Sequence, residues 1–198
     1  MIASRSQGPY FTPEEYLQFE RMSPTVKHEY RRGLVIAMAG AKKPHVIIMK
    51  NLSGLLFNHF SNGGSDCEFY VADMKVNILK GEDYYYPDLV VTCDESDQST
   101  DNDFIEHPKL IIEILSDSTE AFDRGDKFAD YKTISELEEY VLVHQRQPLV
   151  ERYLRKGNLW ITETYKADEL VDLASIGFSC AISSLYQGAE QFFTMKED

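Results

Sequence analysis

The spacing of apolar positions changes several times along the chain, and each change predicts a new element. Between Pro44 and Gly64, Ile48, Leu52, Leu55 and Leu56 recur at helical intervals. Pro44 suits the first turn of such a helix and Gly63-Gly64 its end, so 44–64 is predicted as the best helix. Upstream, Thr12-Pro13-Glu14-Glu15 has the form of a capping box with proline at the first helical position, predicting a helix to about Met22. HEYRRGLVIAMAG (28–40) reads as two strands around a tight turn at Arg32-Gly33.

Strand patterns follow at about 67–71, 74–79, 86–92 and 109–115. CDESDQSTDNDFIEH (93–107) has six acids, no Lys or Arg and many turn formers, which predicts a loop. Residues 118–134 read as a helix with a break near Gly125. EYVLVH (139–144), LVERYLR (149–155) and LWITETY (159–165) alternate like strands, with turns at Gln147-Pro148 and Lys156-Gly157, and a short helix is predicted near 182–187. This order predicts an α/β (α+β) fold, a mixed central sheet flanked by helices. One domain over 1–198 is expected, with 1–9 as a flexible N-terminal segment.

Two of the predicted strands carry an acid where the pattern asks for apolar residues. In KLIIEILS (109–116), Glu113 interrupts the run of Leu110, Ile111, Ile112, Ile114 and Leu115. In YYYPDLVV (84–91), Asp88 stands between Pro87 and Leu89-Val90-Val91. Removing an ionised carboxylate from water costs several kcal/mol unless a partner compensates. If the strands are neighbours, both acids converge, and either one stays protonated or a cation neutralises the pair. Hard ions such as Mg²⁺ take one or two carboxylates plus waters and substrate phosphates. The plainer alternatives are a turn cap at Asp88 and a structural ion pair at Glu113.

Charge complicates the choice of partner. The net charge of −13 argues against nucleic acid, because phosphate contacts need Lys and Arg. The acids are unevenly placed, however: residues 81–139 carry 18 acids and 4 bases, whereas residues 1–80 carry 7 acids and 10 bases. No apolar stretch approaches the roughly 20 residues that span a bilayer. The N-terminus lacks an apolar signal region, and three widely spaced cysteines suit reduced thiols, so a cytoplasmic location is expected.

Proline-aspartate at a strand start, followed by an acid in an apolar strand, resembles the PD-(D/E)XK nucleases. More narrowly, FTPEEYLQFE, HEYRRGLVIAMAG, YYYPDLVVTCD and LIIEILSDSTEAFDRGDKFADYKTISELEEYVLV are together similar to the Uma-two family of restriction endonucleases. The resemblance implies a restriction-endonuclease-like domain that cleaves DNA with Mg²⁺ or Mn²⁺. Asp88 and Glu113 would hold the metal, with the backbone carbonyl of Ile114 as a third oxygen. Glu29 would be an additional acid at the site, with pairing to Arg31 or Lys27 as its plainer reading. A homodimer is implied by the broad fold.

The departure lies two residues after Glu113, where Leu115 replaces the motif's lysine. Lys127, in Asp-Arg-Gly-Asp-Lys, is the expected substitute, although Asp123 four residues earlier would make an ordinary helix ion pair with it. Lys43 and His45, at the start of the long helix, could contact a phosphate. Asp73 is a weaker candidate, and Tyr84, Tyr85 and Tyr86 are expected in the core rather than stacked on bases. The alternative function is an inactive nuclease fold serving as a binding or regulatory module, which the missing lysine favours.

Overall fold

The computed structural model describes residues 10–63, 66–99 and 102–193, so the segment 1–9 and the Gly64 half of the expected helix stop lie outside the described residues. Helix α1 (Pro13–Arg21) opens on the capping box read from the sequence: Thr12 Oγ1 accepts from the Glu15 amide, and the Glu15 carboxylate accepts from the Thr12 amide. Strands β1 (His28–Arg31) and β2 (Leu34–Ala37) form the expected hairpin, with Arg32 and Gly33 at positive φ in its turn. The long helix α2 runs Lys43–Gly63 and buries Ile48, Leu52 and Leu56.

Strands β3 (Glu68–Val71) and β4 (Lys75–Ile78) follow. The expected strand 86–92 is shortened to β6 (Leu89–Thr92), and a separate strand, β5 (Asp83–Tyr85), precedes it. Pro87 lies between them and has no N–H for a ladder, and the chain changes sheets there. The expected loop 93–107 also carries structure, a short helix α3 (Glu95–Ser99) and strand β7 (Phe104–Ile105). Asp97 organises it by accepting from Thr92 Oγ1 and from the amides of Glu106 and His107, each at 2.9 Å.

Strand β8 (Pro108–Leu115) leads to a continuous helical segment: α4 (Glu120–Phe122), a π turn (Asp123–Lys127) and α5 (Phe128–Tyr131). The expected break near Gly125 is this π turn, a local widening of the helix rather than an interruption. Strands β9 (Glu139–His144), β10 (Leu149–Lys156) and β11 (Leu159–Lys166) complete the main sheet. A further hairpin, β12 (Leu170–Leu173) and β13 (Phe178–Ala181), precedes α6 (Ile182–Tyr186).

The main sheet has the order β11-β10-β9-β8-β6-β3 and is mixed, because β8 and β9 run parallel while its other pairs are antiparallel. A second sheet has the order β2-β1-β5-β4-β7. One face of the main sheet takes α2 and α6 through Leu89, Val91, Leu110, Ile112 and Ile114. The other takes α5 through Val90, Ile111, Leu115, Tyr140 and Leu142. This two-sided burial explains why the 109–115 run is nearly all apolar.

The thiols correct an expectation. Cys67 and Cys93 form a disulfide, and only Cys180 is free. Glu68 pairs with Thr92 across β3 and β6, so continuing that register sets Cys67 opposite Cys93. The argument from reduced thiols to a cytoplasmic location therefore falls away. Among the described residues, no helix is long and apolar enough to cross a membrane.

Candidate active site

Strand parity decides whether the two unusual acids can meet. On β8, Ile111, Glu113 and Leu115 alternate onto the face covered by α5. On β6, Val90 shares that face, and Asp88 lies two residues before it. Leu89 pairs with Ile112, so the next step along the antiparallel ladder places Asp88 opposite Glu113. The contacts agree: the Ile114 amide donates to Asp88 Oδ2 at 2.7 Å, and the Asp88 amide donates to Glu113 Oε2 at 3.4 Å. Two acids far apart in sequence share one face and one point.

The compensating cation comes from the helix. Lys127 Nζ lies 2.9 Å from Glu113 Oε1, 3.0 Å from Glu29 Oε1 and 3.8 Å from Asp123 Oδ1. Glu29 reaches the same point from β1 in the second sheet and also accepts from the Tyr86 amide at 3.2 Å. The junction Tyr86-Pro87-Asp88 thus gathers groups from both sheets and the helix. His45, near the start of α2, closes the open side with Nε2 at 3.1 Å from Asp88 Oδ1. Lys43 is exposed two residues before it.

Burial grades across the cluster. Glu113 and Lys127 are each 4% exposed, whereas the Asp88 side chain keeps 23%. Burial pushes the Glu113 carboxyl well above the ordinary carboxylate range, with Lys127 pulling the other way. Asp123 is raised for the same reason. Burial also opposes the Lys127 charge, but Glu113, Glu29 and Asp123 outweigh it and hold the ammonium well above the usual lysine value.

One ammonium faces three carboxylates here, Glu113, Glu29 and Asp123, while Asp88 is met by His45. Glu113 Oε1 is buried directly against this ammonium. Among the described residues, no three or more His, Cys, Asp and Glu side chains group so as to hold a metal by themselves. Asp88 and Glu113 nevertheless suit a hard divalent cation, which completes its shell with water and substrate oxygens.

Residues 13–183 match the model of the Uma2 family, described as "Putative restriction endonuclease". The chain belongs to the Uma2 family. A Synechocystis sp. relative, "Uncharacterized protein slr1290", is 39% identical over 191 residues, covering 95% of this chain and 98% of the relative. A second from the same organism, "Uncharacterized protein sll1609", is 40% identical over 149 residues, or 74% and 82% of the two chains. A solved structure from Anabaena variabilis, titled a "putative nuclease belonging to DUF820", superposes with a TM-score of 0.72 at 18% identity, covering 90% of this chain and 99% of that one. That likeness shows a shared fold.

In this Uma2 chain Leu115 shares the face of Glu113 but is buried in the apolar cluster with Ile111, Phe128 and Tyr140. Lys127 reaches Glu113 from the helix instead. Asp123, read from sequence as an ordinary helix partner of Lys127, is 3% exposed and belongs to the cluster. The Tyr131 hydroxyl, one turn beyond Lys127, is buried with no hydrogen-bond partner among the described residues, and nothing in the sequence marks it. Asp73 lies exposed in a bend at positive φ, and Tyr84, Tyr85 and Tyr86 are core residues.

Proposed function

We propose that this protein is a Mg²⁺- or Mn²⁺-dependent endonuclease that hydrolyses phosphodiester bonds in DNA. The supporting observation is the convergence of Asp88, Glu113, Glu29 and Lys127 at the junction of the two sheets. Asp88 and Glu113, with the Ile114 carbonyl, would hold the metal. The chemistry that a divalent ion would supply there is polarisation of the scissile phosphate and a lowered pKa for a bound water.

The chain's own groups do the rest. The Ile114 amide fixes one oxygen of Asp88 and leaves its other oxygen toward the opening, where His45 now sits. Lys127 supplies the positive charge that the Leu115 position lacks, stabilising charge that develops on the phosphate. Glu29 holds that ammonium in place and can orient an outer-shell water. Lys43 and His45 contact the backbone phosphates, and a homodimer carries two such sites. Plasmid nicking with Mg²⁺ or Mn²⁺ tests the reading: cleavage is expected in wild type and lost in Asp88→Ala, Glu113→Ala and Lys127→Ala. Metal binding without cleavage in wild type would support the inactive binding module instead.

A further inference from the structure

Beside this site lies an exposed apolar row that the fold does not use. Among the described residues, β2 is the edge strand of the second sheet and pairs with β1 alone. Its register sets Leu34 opposite Arg31 and Ile36 opposite Glu29. Residues directly opposite in an antiparallel pair share a face. Met38 continues the alternation, its amide bonded to the Lys27 carbonyl. Leu34, Ile36 and Met38 thus stand in one line on the face that carries Glu29, and they are 45%, 47% and 40% exposed.

The charge around the row is unusual for this chain. From Tyr30 to Ser65 the segment has not one acid, although the protein as a whole carries 33, and the acids that reach β1 and its turn, Glu29, Asp126 and Asp130, are paired with Lys127, Arg31 and Arg32. Lys42 and Lys43, both exposed, follow Met38 within five residues and lead directly to His45. Edge strands are ordinarily protected by charged side chains, and β2 has none. Pairing with a second copy through β2 would run antiparallel and bring Arg32 of each copy toward the lysines of the other, which like charges oppose. A polyanion with apolar faces fits both features.

Building on the nuclease reading, we propose that Leu34, Ile36 and Met38 form a base-contact surface for the nucleic-acid strand entering the site. Lys42 and Lys43 hold that strand's phosphates while the row takes the faces or edges of its bases. Apolar side chains of these types contact and unstack bases in other settings.

The test is metal-free binding, measured by anisotropy with a labelled single-stranded oligonucleotide and an abasic oligonucleotide of equal charge. Wild type should prefer the base-bearing strand. The Leu34→Ser/Ile36→Ser/Met38→Ser variant should bind that strand about tenfold more weakly, with the abasic strand unaffected and the salt dependence unchanged. Lys42→Ala/Lys43→Ala should weaken both strands and flatten the salt slope by about 1.4. Equal binding of both strands by wild type, an unaltered triple-serine variant, or a triple-serine variant that turns a dimer into a monomer would each overturn the proposal. Cleavage is measured separately on plasmid. A row that selects bases without cleavage refutes only the nuclease reading, and cleavage without base selection refutes only the row.

Discussion

The Lys127 ammonium lies 2.9 Å from Glu113 Oε1, although the two residues come from a helix and from the strand beneath it. Both are buried, so the pair compensates charges that neither element could carry alone. Breaking a buried pair by removing one partner costs about 3–5 kcal/mol. Lys127→Ala should lose that much stability in urea unfolding and should also lose cleavage. Lys127→Ala/Glu113→Gln should recover part of the stability, because the stranded charge is gone, but none of the cleavage.

Asp88 separates structure from chemistry. Asparagine keeps an oxygen for the Ile114 amide, which now donates to Asp88 at 2.7 Å, but removes the charge. Asp88→Asn should remain within about 1 kcal/mol of wild type, the scale of one altered hydrogen bond. Its cleavage should fall by at least about 100-fold, the scale of losing one electrostatic group from a catalytic site. Thermal unfolding beside a nicking assay measures both.

Much of this was legible in the chain. Helix α1 follows from its capping box and α2 from its apolar spacing, and the acid in each strand stood out because two-sided burial leaves little room for charge. Lys127 could be marked from its motif, but only the packing of the helix on β8 shows it reaching Glu113. The rest depended on tertiary register. The π turn leaves no periodic trace, and β12 is a four-residue strand that buries only alternate residues. The Cys67–Cys93 bond follows from β3–β6 pairing rather than from cysteine spacing.

A second charged cluster sets acid stability. Arg124 hydrogen bonds hold Glu151 down at about 2 against an ordinary 4.5, with burial opposing and His144 adding to the effect. Arg124 grips it through two contacts, at 2.6 and 2.7 Å. A carboxyl depressed in the folded state contributes stability above its unfolded pKa and loses it as pH falls toward the folded value. Wild type should therefore lose stability progressively from about pH 5 to about pH 2. Glu151→Gln should be less stable at neutral pH and show a flatter acid limb in pH-dependent unfolding.

The Cys67–Cys93 bond closes a loop with a sequence separation of 26. A loop of that size contributes about 3–4 kcal/mol through the unfolded chain. Unfolding with and without a thiol reductant should differ by that amount, and Cys67→Ser/Cys93→Ser should lose the dependence on reductant.

Calorimetric titration with Mn²⁺ or Mg²⁺, run beside plasmid nicking on wild type, Asp88→Ala and Glu113→Ala, probes the proposed metal site itself. Saturable metal binding and cleavage should both be present in wild type and both vanish in each variant. Cleavage that persists in both variants would contradict a cation held between these two carboxylates.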